Sequence, residues 1–394
     1  MSTLGAIFKS FSGIHGFTRS LDNLSHNLSN INTPGFKGKD VLFRDMASNT
    51  EGAGVRHSGE KLRFTQGDIV STGRDTHLAI DGNGLFVLTD GDKKVFTRAG
   101  QFELKNNKLV DSASDLAVQA IKVDNLHQQV LDISAYQYQP PKPTTSISLS
   151  GNLKADAPVD SVYPAEDNSS ELSFEVYDNQ GGKHKFTVSL KKIANKEWQL
   201  FVKNSNDVDM LKDANNKIKF NVGGLAIDSK LEFSIKDLQG NDQTIQINIG
   251  NGLQGITSLT GAQSKALVKV DDGAPKGDIK SLSFDRHGYL EITYTNNEKV
   301  KPYQVLLANV PETQLESIGN GMFAASENAE ITYGKPNNGV FGVIRGGSIE
   351  QSNINMSKEF AEIVVVQRGY QATAQLINVT SQMLEELYNS TRGR

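Results

Sequence analysis

The residues best suited to chemistry in this chain of 394 are seven histidines: His15, His26, His57, His77, His127, His184 and His287. They are scattered, and none shares the i, i+4 spacing that puts two imidazoles on one helix face as zinc ligands. Cysteine is absent, which removes a disulfide framework, a thiolate metal site and a thiol nucleophile. Asp207, Asp209 and Asp213 invite comparison with a calcium loop, but Lys212 stands where such a loop needs glycine. A solvated loop is expected there. Asp81-Gly82-Asn83-Gly84 looks like the start of a dinucleotide loop, yet Val87 occupies the third glycine's place and no helix follows. A hairpin turn is the expectation. No Gly-x-Ser-x-Gly elbow or Walker lysine loop is present. Arg98, in Phe96-Thr97-Arg98-Ala99-Gly100, is an isolated cation in a β stretch, expected in a surface or interface ion pair. No catalytic, cofactor-binding or metal site is therefore expected, and no enzyme.

Composition agrees. The net charge of −4 advertises no surface for nucleic acid. No apolar run approaches the roughly 18 residues of a membrane helix, so no membrane insertion is expected. The first residues carry one lysine and no apolar core before a small-residue cleavage site, so a cleaved signal peptide is not expected. The length allows two or three domains.

With chemistry excluded, the elements themselves carry the reading. Near the start, Leu4, Ile7, Phe11, Ile14, Leu21 and Leu28 fall on a register of alternating three- and four-residue steps that Thr18 and Ser25 break, with Leu24 and Ile31 beside them. Near the end, Met356, Phe360, Ile363, Gln367, Tyr370, Ala374, Ile377, Ser381, Leu384 and Tyr388 repeat the stepping. A 3.5-residue period is the seam of a coiled coil.

The remaining faces of these helices are unusual. Gly369 to Leu384 carries no formal charge, and Asn23 to Phe36 has only His26. Solvated helix faces normally carry charges, whereas Ala, Ser, Thr, Asn and Gln suit close packing on neighbours. Such a segment is expected to order when neighbours cover it. Pro34 pushes the residue before it out of the helical region and Gly35 permits a positive φ, so the helix is expected to end at this turn.

Between the helices the chain is β-rich. Turns at Asp81–Gly84, Asp90-Gly91-Asp92 and Asn106-Asn107 punctuate short strands. Ile318–Ser326 echoes Ile80–Thr89. Tyr138–Ser146 is proline-stiffened and reads as a crossing into another domain. Beyond it, Leu172, Phe174, Val176; Phe186, Val188, Leu190; Trp198, Leu200, Val202; and Ile245, Ile247, Ile249 alternate as half-buried strands.

The expected fold is mostly β with terminal α-helices, discontinuous and multi-domain. The N- and C-terminal helices pair as a coiled coil, and one β domain carries a second inserted into it. The expected divisions are a helical core domain, 1–31 plus 357–394; an extended connecting region, 32–73 plus 346–356; an inner β domain, 74–143 plus 279–345; and an inserted outer β domain, 144–278.

Three stretches carry a resemblance. Leu21–Phe43 resembles the N-terminal signature of the axial proteins of the bacterial flagellum, the rod and hook family. Val95–Ser112 is similar to that family's β-domain motif, and Gly347–Leu387 closely resembles its C-terminal signature. The insert, with Thr144–Leu153 and Glu175–Lys192, is similar to the outer domain of the family's hook members, which its rod members lack. Ser281–Leu290 resembles the segment returning from that insert.

The resemblance implies a structural subunit exported from the cytoplasm by the flagellar type III apparatus without a cleaved signal. Outside the cell it would polymerise with copies of itself into a curved tube that passes motor torque to the filament. Implied partners are a hook cap protein, the distal rod protein and the hook–filament junction protein; no cofactor is implied. The implied assembly residues are Leu4, Ile7, Phe11, Ile14, Leu21, Leu24, Asn27, Leu28, Ile31, Phe360, Ile363, Tyr370, Ala374, Ile377 and Leu384, with Pro34 and Gly35 as the helix-terminating turn. On this reading the amides of Asn23 to Asn30 satisfy one another between subunits and allow small axial slips. The competing readings are a distal rod protein, disfavoured by length and insert, and a secreted β-sandwich adhesin, which leaves the terminal heptads unexplained.

Overall fold

Period-two alternation builds the central part of the chain, and the computed structural model shows where each alternating set goes. The structure describes residues 3–46, 54–91, 93–165, 172–211, 216–227, 230–237, 239–250, 252–261 and 263–392. Asp92, Lys212 and Asp213 of the expected turns and loops lie outside these residues, as does the Leu4 side chain. Two compact units result: one of residues 1–135, 281–292 and 300–394, the other of 136–280 and 293–299.

The second unit holds two five-stranded sheets sharing one core. In the hairpin Lys183–Ala194 to Glu197–Asn204, Phe186, Val188 and Leu190 point inward with Trp198, Leu200 and Val202. Leu190 pairs with Leu200 and Val188 with Val202. A one-residue slip would turn every one of these outward, so burial of a single face fixes the register. Lys196, at φ 63, makes the tight turn. The other sheet adds Ile147, Leu149, Phe233, Ile245 and Ile247, and Phe174, Phe186 and Phe233 meet as an aromatic group with centroids 5.3–6.4 Å apart.

In the first unit, strand Leu85–Asp90 pairs with Lys93–Thr97 on one side and with Ala117–Lys122 on the other. Leu85 to Leu88 are all buried, so this strand is covered on both faces. Asn106 and Asn107, both at positive φ, close the hairpin from Phe102–Lys105 to Lys108–Asp111. The Asp81–Gly84 turn departs from the hairpin expected. Leu78–Asp81 pairs with Val343–Gly346, while Leu85–Asp90 pairs elsewhere, so the turn is a corner between two sheets. Ile69–Ser71 pairs with Ser348–Glu350, returning the chain toward the helices.

The same unit carries both helices, α1 (Thr3–Ser29) and α2 (Met356–Arg392), which pack on one another. A ribbon of β1 (Lys39–Asp45) and β2 (Val55–Leu62) lies along α1, where a Cβ on Gly16 would stand 3.4 Å from the Phe43 ring. This segment reads in the sequence only as extended, because most of its side chains are exposed and show no alternation.

Candidate assembly interface

At a rise of 1.5 Å per residue, α1 is about 40 Å long and α2 about 55 Å. They run antiparallel. Asn27 faces Glu359 at the base, Phe17 lies over Gly369, and Gly13 meets Thr373. Each advance along α2 matches an equal retreat along α1, so Met383 stands level with Thr3. The last turns of α2 have no described α1 residue opposite, and Leu387 and Tyr388 are exposed.

The stripe that α1 turns toward α2 is Gly13, Phe17, Ser20, Leu24 and Asn27, one position off the stripe expected from periodicity. Leu24 and Asn27 are buried at 5% and 0% exposure. Ile7, Ile14, Leu21, Leu28 and Ile31 are half-buried, whereas Phe11 is 58% exposed. On α2, Ile363, Ala374, Ile377 and Leu384 are half-buried, and Phe360 and Tyr370 are exposed.

The physical reason is close approach. The helices meet where glycines admit Phe17 and Thr373, and large apolar side chains on their other faces are left uncovered. Phe8, Phe11, Phe360, Val364, Val365, Leu376, Val379 and Met383 stand in solvent. A cleft of about 410 Å³ opens between α1, β1 and α2, lined by Leu24, Val41, Val365 and Val366 among others.

Below the helix pair the chain ties itself to the β body by a buried polar knot. After Ser29 three turn-type hydrogen bonds carry the chain to Thr33, and Gly35, at φ +68, donates its N–H to Glu350 O at 2.8 Å. Lys37 Nζ then reaches Glu350 Oε1 at 2.6 Å and Thr65 O at 2.8 Å, with both ion-pair side chains fully buried. Gly67 N–H donates to the same carboxylate oxygen at 2.9 Å. Arg98 Nε faces Glu350 Oε2 at 3.5 Å, and its guanidinium donates to Gly82 O at 2.7 Å. Burial pushes the Lys37 ammonium below its ordinary pKa while Glu350 holds it up, and burial likewise lowers Arg98.

Arg98 is therefore neither a surface nor an inter-subunit cation. It is 4% exposed and spent inside its own chain. The same holds for Asn27, which donates to Lys39 O at 2.9 Å and to Glu359 Oε2 at 3.3 Å and accepts from Lys39 N–H at 3.0 Å. Asn23 also donates to Lys39 O, at 2.6 Å. These two amides are satisfied within the subunit, because β1 brings an unpaired peptide group against them. Glu359 takes Arg63 on its other oxygen at 2.7 Å, and Asn353 donates to Arg63 O and accepts from Gly38 N–H.

Gly35 has no substitute at the centre of this knot. A Cβ there would lie 2.2 Å from Ala99 N and 2.6 Å from Arg98 C, both backbone. Gly35→Ala is expected to lower the stability of this unit by about 2–3 kcal/mol, from the left-handed φ and the forced shift together. Denaturant titration of the helical circular dichroism checks it; an unchanged midpoint would contradict the geometry.

Among the described residues, no group of His, Cys, Asp and Glu is placed to hold a metal ion, and no helix is long and apolar enough to cross a membrane.

The terminal helices pair with one another and leave large apolar side chains of both uncovered. Residues 79–152 match the family model described as the flagellar hook protein FlgE/F/G D1 domain, and residues 345–390 match the flagellar basal body rod FlgEFG protein C-terminal model. The flagellar hook protein FlgE of Escherichia coli K12 is 28% identical over 98% of this chain and 99% of its own. That of Salmonella typhimurium LT2 is 29% identical over 96% and 98%. A crystal structure of Helicobacter pylori flagellar hook protein FlgE2 overlays 72% of this chain and 100% of that one, at 12% identity and a TM-score of 0.49. Over nearly its whole length the chain is thus similar to flagellar hook proteins, and its two family-model matches are to flagellar rod and hook domains.

Proposed function

We propose that this chain is the structural subunit of a bacterial flagellar hook, polymerised with copies of itself into a curved tube that transmits motor torque to the filament. The observation that carries the reading within the structure is the set of large apolar side chains that the α1–α2 pairing leaves exposed. A free subunit exposes Phe8, Phe11, Phe360, Val364 and Val365 to water, and a neighbouring copy would cover them. Full-length similarity to hook proteins supports the same reading over the distal rod and adhesin alternatives.

In this reading residues 1–31 with 357–394 form the helical core, 32–73 with 346–356 the connection, 74–143 with 279–345 the inner β domain, and 144–278 the outer one. Export without a cleaved signal through the flagellar type III apparatus belongs to it. So do contacts with the hook cap protein, the distal rod protein and the hook–filament junction protein. Concentration of the purified chain should yield tubes visible by electron microscopy. A chain that stays monomeric at every concentration, with its helices intact, would count against the reading.

A further inference from the structure

Asn27 is the one polar side chain at full burial on the stripe α1 turns to α2, and it meets the equally buried Glu359. Both are tied onward: Asn27 to both peptide groups of Lys39, Glu359 to Arg63. Farther along, Ser12 accepts from Val55 N–H of β2 rather than from α2, and the threonine hydrogen bonds are of another kind. Thr18 bonds the Ile14 carbonyl, Thr373 that of Gly369 and Thr380 that of Leu376, each one turn back in its own helix. Such bonds survive in any alignment of the two helices. The contacts of Gly13 with Thr373 and Phe17 with Gly369 are non-directional packing, which small residues one turn away can replace.

We infer that Asn27 and Glu359 set the register of α1 on α2. A one-turn slip would strand a buried amide and a buried carboxylate away from their partners, whereas the packing contacts can be remade. Selecting one alignment of a helix pair is the best-attested role of a buried polar group. The two act as positioning residues, and the inference concerns the free chain, so it stands or falls apart from the hook reading.

The absence of cysteine makes the test free of background. A Cβ on Gly13 lies 3.5 Å from the Thr373 methyl carbon, so Gly13→Cys with Thr373→Cys marks the native register within disulfide reach. Gly13→Cys with Ile377→Cys marks a one-turn slip. Each pair is placed in the full chain, oxidised with diamide, and its crosslink yield measured.

Asn27→Leu is expected to lower the ratio of native to slipped crosslink by about tenfold, and Glu359→Gln by about threefold, as expected for losing or weakening a hydrogen bond to a buried charge. Leu24→Ala loosens the same stripe without touching the pair, and is expected to leave the ratio within about twofold. Helical circular dichroism of each variant shows which are folded. An unchanged ratio in a folded Asn27→Leu chain, or an equal fall in Leu24→Ala, overturns the assignment. Should Asn27→Leu fail to fold, Glu359→Gln decides in the same way.

Discussion

Glu350→Ala is expected to destabilise the helix-bearing unit by about 3–5 kcal/mol, the usual cost of removing one partner from a buried ion pair. The carboxylate is the only anion between Lys37 and Arg98 among the described contacts, and all three side chains are at 5% exposure or less. Removing it leaves two cations facing each other without water, and it leaves Gly67 N–H without its acceptor. Glu350→Gln keeps the shape and an acceptor, so its loss should be smaller. Arg345→Ala is the contrasting case: its pair with Asp81 is half exposed, and the expected change is about 1 kcal/mol or less.

The single tryptophan, Trp198, is buried in the other unit and gives an internal reference. Glu350→Ala should shift the helical circular dichroism transition in denaturant and leave the Trp198 fluorescence transition in place. A helical transition that moves by less than about 1 kcal/mol would show that the knot does not hold the unit together.

The second large effect is on assembly. Phe11→Asp and Leu376→Asp each put a carboxylate among the apolar side chains that the helix pair leaves exposed, at positions 58% exposed in the subunit. Folding should barely change, within about 0.5 kcal/mol, as for most exposed sites. Polymerisation should fail, because burying an aspartate in place of a side chain worth about 2 kcal/mol adds a desolvation cost of several more. The concentration needed for tubes should rise at least about a hundredfold. Electron microscopy across a concentration series reads this directly. Tubes at the unsubstituted chain's threshold would place the interface elsewhere.

Much of this architecture is legible in the sequence where burial is one-sided. Phe186, Val188, Leu190 and Trp198, Leu200, Val202 alternate because one sheet face meets a core, and all six are buried. The terminal helices and their pairing are legible from a 3.5-residue period. Their seam is not. Periodicity finds the most apolar stripe, which contains Phe11, Phe360 and Tyr370, but the chain pairs its helices through Gly13, Phe17, Gly369 and Thr373, where small residues permit close approach.

The polar knot was hidden for a different reason. Lys37 and Glu350 are 313 residues apart, and neither belongs to a repeating pattern. The available signal is their place inside the stretches Leu21–Phe43 and Gly347–Leu387 that resemble the rod and hook family, with Arg98 in the third, Val95–Ser112. Three separate resemblances meet at one carboxylate. Asn27 reads as a contact between subunits because it sits on an uncharged helix face that suits packing on neighbours. The partner, Lys39, lies across a turn that periodicity does not reach.

Amide hydrogen exchange on the free subunit and on its tubes tests the central claim, that the terminal helices are an assembly surface. The free subunit should protect residues 23–37 through the knot and exchange faster at 3–16 and 370–392. In tubes those two outer segments should become strongly protected while residues 23–37 change little. Equal exchange in subunit and tube at 3–16 and 370–392 would mean that the helices serve only the subunit's own fold, contradicting the account.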